Sequence, residues 1–337
     1  LGSCSEDFFN KQAGDRITPD QHWQDIIDGN ASWQGAIINL QEAMPRLIML
    51  DGLRSDQMDV TMNANQYFRE INEHNYSDFN PYLDLADMNK VLVNLNEVLA
   101  YLDELAANER ELDDHTTFFA RGEFLAMRAW VYLQSAKLYG QVTYLPDNLE
   151  TLPEDLDGYQ IMQKEEIIDT LINQIEPYIY DPLEETKIEI KVNHYVNPKA
   201  VLGELYLEKG DYANAVKYLK MACESFLNQT SLFKVDQTYA ENAWFTMFLN
   251  AEYAGLEHFS VIPFSATEHQ LNPLATWMGY RYDYLVKPSQ VLVDSFEAQV
   301  STLGNPGDYF RGNGFVETGV TYGVDTLSKS SEEDFDV

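Results

Sequence analysis

The chain has 337 residues, 45% of them hydrophobic, which is enough apolar sequence for a substantial core. Its 55 Asp and Glu outweigh 22 Lys and Arg, and the net charge of -33 repels phosphate backbones and anionic headgroups, so nucleic acid is excluded as a partner. Two cysteines exclude a disulfide scaffold, and no stretch reaches the roughly 20 apolar residues of a membrane-spanning helix.

The chain opens Leu1-Gly2-Ser3-Cys4, similar to the end of a bacterial lipoprotein signal peptide. In that reading Cys4 carries the lipid, Ser5-Glu6-Asp7 resembles a surface-export signal, and residues 1–20 form a tether. Asn30 to Leu50 reads as a helix, with Asn30 as its cap and a disturbance at Pro45. Ser55-Asp56-Gln57 reads as a turn. After it comes a group of rings, Tyr67, Phe68, Tyr76, Phe79 and Tyr82, with Asn63, Asn65, Arg69 and Asn72 between them. The methionines Met44, Met49, Met58 and Met62 read as packing, and Trp23, Trp33 and Trp244 as core.

Met88 to Ala107 has apolar residues recurring at helical intervals, Val91, Leu92, Leu95, Val98, Leu99, Leu102 and Leu105 among them, which predicts an amphipathic helix. Phe118 to Tyr139 predicts a second, closed by Gly140. Ile161 to Ile179 predicts a third, with Ile167, Ile168, Leu171, Ile172 and Ile175 inward. Asn197 to Phe226 follows tetratricopeptide spacing: Leu202-Gly203, Tyr206, Gly210-Asp211-Tyr212, Ala215, Leu219 and Ala222. Gly203 and Ala215 let two antiparallel helices approach, and neighbouring helices must cover the faces a single repeat leaves bare. Cys223 reads as a buried thiol there.

Beyond residue 228 Pro and Gly become frequent. Val261-Ile262-Pro263-Phe264 reads as extended, and Pro288 to Ala298 as a short helix with Val291, Leu292 and Phe296 inward. Between them lies a second ring group, Trp277-Met278-Gly279-Tyr280-Arg281-Tyr282-Asp283-Tyr284. The polar, acidic residues 328–337 read as a disordered tail.

No His pair has metal-ligand spacing, and H-E-x-x-H, C-x-x-C, G-x-S-x-G and phosphate-binding Gly loops are all missing from the sequence. No metal, cofactor or catalytic residue is therefore expected. Sugar binding is the chemistry the residues suit: aromatic rings pack on the C–H face of a pyranose, and amides, carboxylates and guanidinium bond its hydroxyls. The candidate ligand residues are Trp277, Tyr280, Arg281 and Tyr282 in the second ring group, and Tyr67, Asn72 and Tyr76 in the first. The competing reading is that both groups plug the space between helical layers.

Several stretches together resemble the SusD/RagB family of nutrient-binding outer-membrane lipoproteins. The most specific is Arg121-Gly122-Glu123-Phe124-Leu125-Ala126-Met127-Arg128-Ala129, running on to Tyr139-Gly140 and the apolar Val142-Thr143-Tyr144-Leu145-Pro146. The others, in order along the chain, are Ser55-Asp56-Gln57, Asp87-Met88-Asn89 with Asn94-Leu95-Asn96, the tetratricopeptide-like pair, Glu257 to Ser265, and Tyr284-Leu285-Val286-Lys287-Pro288-Ser289. The resemblance implies a mainly α, tetratricopeptide-like helical-repeat scaffold with long irregular loops and a few short strands, as one domain over 21–327. It also implies a non-enzymatic, lipid-anchored protein at the outer-membrane surface, which binds glycan for a SusC-type TonB-dependent transporter. Peptide or glycoprotein cargo, and a tetratricopeptide scaffold for protein–protein interaction, are the alternatives.

Overall fold

The carboxylate of Asp25, rather than Asn30, starts the first helix of the computed structural model. Its Oδ1 accepts from the backbone N–H groups of Ile27 at 2.9 Å and Asp28 at 3.2 Å, donors that a helix start leaves unpaired. This helix, α1, spans Ile26–Arg54, so Asn30 lies inside it; Pro45 removes one rung of its ladder without ending it. The structure describes residues 22–23, 25–84, 86–108, 112–145, 158–179, 196–227, 262, 264, 270–278 and 284–299. Cys4, Trp244, the tail 328–337 and most of the stretch 257–265 lie outside the described residues.

After α1 come β1 (Met58–Val60), α2 (Gln66–Asn72), a 3-10 turn (Pro81–Leu83), α3 (Ala86–Asn108) and α4 (Asp114–Tyr139). Then follow β2 (Gln141–Tyr144), β3 (Gln160–Gln163), α5 (Lys164–Ile175), a 3-10 turn (Glu176–Tyr178), α6 (Pro198–Lys209) and α7 (Tyr212–Leu227). The last described elements are α8 (Leu274–Trp277), β4 (Val286–Pro288) and α9 (Gln290–Glu297). The fold is mainly α, with a tetratricopeptide-like helix pair and short strands, as the sequence predicts. Among the described residues two antiparallel ladders form, β1 with β4 and β2 with β3. The chain divides into two compact units, one of Leu1–Ile38 and Asn89–Val261, the other of Asn39–Met88 and Ile262–Val337.

In the first unit, the predicted stripe of α3 is buried along its length, from Val91 to Leu105. Trp23 is buried beside it, stacked on Tyr101 with centroids 4.9 Å apart, while Trp33 is half-buried against Phe124 at 4.8 Å. Helix α4 ends at Gly140, whose φ of 78° is the left-handed stop the sequence predicts. The third predicted helix is corrected at both ends. Gln160–Gln163 is a strand paired with β2; Gln163 and Glu166 then form a capping box, and a 3-10 turn holding Pro177 follows Ile175.

The most specific sequence match is part of the core. Arg128 is 3% exposed and donates from Nη1 to Asn96 Oδ1 at 2.9 Å and from Nη2 to Gln174 Oε1 at 3.0 Å. Asn96 Nδ2 donates to the Leu145 carbonyl at 3.3 Å, and the Leu145 N–H to the Tyr132 hydroxyl at 2.9 Å. Gln174 Nε2 donates to the Tyr144 hydroxyl at 3.0 Å. One guanidinium thus ties α3, α4 and α5 to the end of β2.

Helices α6 and α7 form the predicted pair around Gly210, with Tyr206, Ala215 and Ala222 buried. A Cβ on Gly203 would lie 2.6 Å from Leu219 Cγ and 3.1 Å from the Leu219 backbone N, so the helices themselves would have to part. Gly203→Ala is expected to cost about 1–3 kcal/mol, read as a lower urea midpoint. At Gly52 the atoms nearest a Cβ all belong to the side chain of Met58, the closest being Sδ 2.5 Å away, and a flexible thioether yields. Gly52→Ala is accordingly the milder change. Cys223 is half-buried rather than buried, because Ala222 takes the inward position on α7.

Tyr206 and Tyr218 stack with centroids 5.5 Å apart, and both hydroxyls donate to Glu176 Oε1, at 3.2 and 2.5 Å. Burial first, then the Glu176 carboxylate, raises both phenols above 10.0. A raised pKa favours the folded state fully below the unfolded value and less as pH climbs past it. Stability is therefore expected to fall above about pH 10, more steeply than in Tyr218→Phe. Urea midpoints at pH 9 and 11 test this: equal losses in the two proteins contradict it.

In the second unit, motifs far apart in sequence meet. The Ser289 hydroxyl donates to the Asp56 carbonyl, and its N–H to the Gln57 carbonyl at 3.0 Å, so the Ser-Asp-Gln turn is held by the last residue of the Tyr284–Ser289 stretch. The same hydroxyl caps α9 through Leu292 N at 3.1 Å. On α9 the buried residue is Val293, and Val291, predicted inward, lies two positions before it on the opposite side of the helix and is 58% exposed. Met49 packs as predicted, but Met62 is 70% exposed at a turn.

Candidate functional site

Asn65 caps α2 by accepting from Phe68 N at 3.0 Å, which sets Phe68 and Ile71 inward. Arg69 then reaches back over the turn before the helix. Its Nη2 donates to the carbonyls of Thr61 at 3.0 Å and Met62 at 2.7 Å, and its Nε to Ala64 at 3.2 Å. Thr61 in turn donates through Oγ1 to the Tyr284 carbonyl at 2.7 Å and through N to Leu285 at 2.9 Å. Leu285 N donates to the Trp277 carbonyl at 2.8 Å. These bonds fix the two ends of the second ring group beside the first.

Among the described residues the result is a cluster of three rings. Trp277 packs edge-to-face on Phe68, centroids 5.4 Å apart at 84°, and on Tyr82, 5.9 Å apart at 84°. Phe68 and Tyr82 lie 4.5 Å apart. Phe68 is fully buried and forms the floor; Trp277 and Tyr82 are half-buried above it. Such edge-to-face pairs hold rings in a fixed orientation. Part of each upper ring is exposed.

The other sequence candidates are dispersed around this cluster. Tyr67 is half-buried, and its carbonyl accepts from Asn80 Nδ2 at 3.0 Å. Tyr76 is 41% exposed, with its hydroxyl 3.2 Å from His74 Nδ1. Asn72 Oδ1 accepts from Val60 N at 3.2 Å, so this oxygen holds β1. Tyr280, Arg281 and Tyr282 lie outside the described residues.

Sequence reading missed Glu70. Its Oε2 accepts from Ser77 Oγ at 2.7 Å, Asn80 Nδ2 at 3.1 Å and Ser77 N at 3.2 Å. These bonds, the Ser77 hydroxyl foremost, hold its carboxyl below the usual range. A Glu one helical turn from an Asx-rich loop is the signal that could have found it. Among the described residues no cluster of His, Cys, Asp and Glu can hold a metal ion, and no helix is long and apolar enough to cross a membrane.

No protein-family model matches the chain, and neither does any curated protein sequence. Solved structures do. A SusD superfamily protein from Bacteroides vulgatus aligns over 85% of this chain and 60% of its own length, with a TM-score of 0.59 and 17% identity. The B. fragilis protein NanU aligns over 79% of this chain and 53% of its own length, at 0.59 and 17%. A SusD-like protein from Bacteroides fragilis aligns over 87% and 56%, at 0.57 and 16%. The chain thus spans between 53% and 60% of the length of these three structures. At these identities the likeness is one of architecture: the chain has the SusD fold.

Proposed function

We propose that this chain binds neutral glycans through the aromatic cluster of its second unit and delivers them to a SusC-type TonB-dependent transporter, held at the outer-membrane surface by a lipid on Cys4. The meeting of Phe68, Tyr82 and Trp277 carries the reading. A half-buried ring on a buried floor keeps its orientation without a ligand, so a sugar stacking on it loses little entropy to side-chain ordering. The SusD fold supports the same role, and the charge of -33 suits an uncharged ligand. A glycan array probed with the Cys4→Ser chain tests the reading. Saturable binding to a subset of neutral polysaccharides is expected; no binding to any glycan contradicts it.

A second reading has one observation of its own. Tyr212, Val216 and Leu219 are exposed at helical spacing along α7, an apolar stripe that a protein partner could cover. Recovery of a stoichiometric protein complex that Val216→Asp abolishes would favour it.

A further inference from the structure

We infer that the loop from Glu73 to Asn80 is a preformed recognition prong, whose tip, Phe79, packs on the apolar face of a sugar ring and whose shape is set by Glu70. This inference rests on the glycan reading and extends it from the three-ring cluster to a second contact. Phe79 is 89% exposed, which for a phenyl group forgoes most of the stabilisation that burial brings. A loose loop would fold such a ring away; this loop is tied along its length. At its start, His74 has a φ of 53° and donates its N–H to the Ile71 carbonyl at 3.1 Å, while Asn75 N donates to the Glu70 carbonyl at 2.9 Å. At its middle and end, Glu70 Oε2 takes the three bonds from Ser77 and Asn80.

Asn80 is buried and completes the frame. Its Nδ2 is shared between Glu70 and the Tyr67 carbonyl at 3.0 Å, and its Oδ1 accepts from Tyr82 N at 3.1 Å. The loop therefore leads directly from the Glu70 carboxylate to Tyr82 of the ring cluster. Preorganisation of this kind lowers the cost of binding, because the loop is ordered before the ligand arrives.

The chemistry around the tip selects the ligand class. From Glu70 to Pro81 the sequence holds Glu70, Glu73 and Asp78 but no Lys or Arg. Glu73, Asn75 and Asp78 are exposed on the same loop. Carboxylate and amide oxygens accept from hydroxyls and repel anions. A neutral polyol with an apolar C–H face matches this set; an acidic polypeptide does not. Glu70 is a positioning residue here, since its contacts are with the loop.

Affinity electrophoresis in a polysaccharide chosen from the array tests the inference. Phe79→Ala is expected to weaken retention about fivefold to tenfold, the effect of losing roughly 1–1.4 kcal/mol of stacking. Phe79→Trp is expected to keep retention and to show a blue-shifted emission, relative to the unsubstituted chain, when sugar is added. Glu70→Gln in the Phe79→Trp background is expected to lose most of that shift while far-ultraviolet circular dichroism stays unchanged. Undiminished retention by Phe79→Ala, with retention lost in Trp277→Ala, overturns the prong and leaves the ring cluster standing. A wild-type chain that binds no glycan overturns both. Undiminished retention by Phe79→Ala, accompanied by dissolution of a dimer, assigns the ring to a second copy and also overturns the prong. An unchanged emission shift in the Glu70→Gln background overturns the positioning role.

Discussion

Arg128→Ala is expected to lower the stability of the first unit by about 3–5 kcal/mol, seen as a fall of roughly 1–2 M in its urea midpoint. The guanidinium is buried and bonds acceptors on two other helices, Asn96 on α3 and Gln174 on α5. Alanine leaves the buried Asn96 oxygen and the half-buried Gln174 oxygen without that donor, and it opens a cavity the size of the lost side chain. The damage spreads because Asn96 and Gln174 also hold Leu145 and Tyr144 at the end of β2. Arg128→Lys is expected to recover little, since a compact ammonium cannot fork to acceptors on opposite sides. A lysine variant as stable as the parent contradicts this account of the motif.

Trp277→Ala is expected to reduce retention in polysaccharide gels at least tenfold, a loss of about 1.4 kcal/mol or more. The ring is half-buried on Phe68 and Tyr82, so its loss removes the largest flat surface of the cluster and frees Tyr82 to reorient. The stability cost is smaller than for Arg128, about 1–2 kcal/mol, because no buried polar group is orphaned. Circular dichroism at helical wavelengths should not change. Trp277→Phe is expected to retain most of the binding, and Val291→Ala, an exposed change elsewhere in the same unit, all of it. Wild-type retention by Trp277→Ala removes the cluster from the site.

The helices were legible because periodicity reports which face is buried. The stripe of α3, the stop at Gly140 and the pair around Gly210 follow from spacing and from residues that tolerate a left-handed backbone. The helix starts were less legible. Asp25 and Asn30 are both good caps, and only the bonds to Ile27 and Asp28 decide between them. Strand β3 was hidden because Ile161 and Met162 fit a helical stripe as well as a strand; pairing with β2 selects the strand.

At the candidate site, composition picked out two ring groups but could not show that they meet. That depends on long-range bonds, Thr61 to Tyr284 and Leu285 to Trp277. Nor does the sequence separate Phe68 on the floor from Phe79 in solvent, since both are phenylalanines in one aromatic group. The division is made by Asn65, which points Phe68 inward, and by Glu70, which holds the loop bearing Phe79 open.

A crystal structure of the chain bound to a neutral oligosaccharide, chosen from the array, tests the glycan reading most directly. The expected complex has a pyranose ring stacked against Trp277 and Tyr82, with its hydroxyls met by side chains of the second unit. Density for the sugar along α7 or elsewhere in the first unit, with the ring cluster bare, contradicts it.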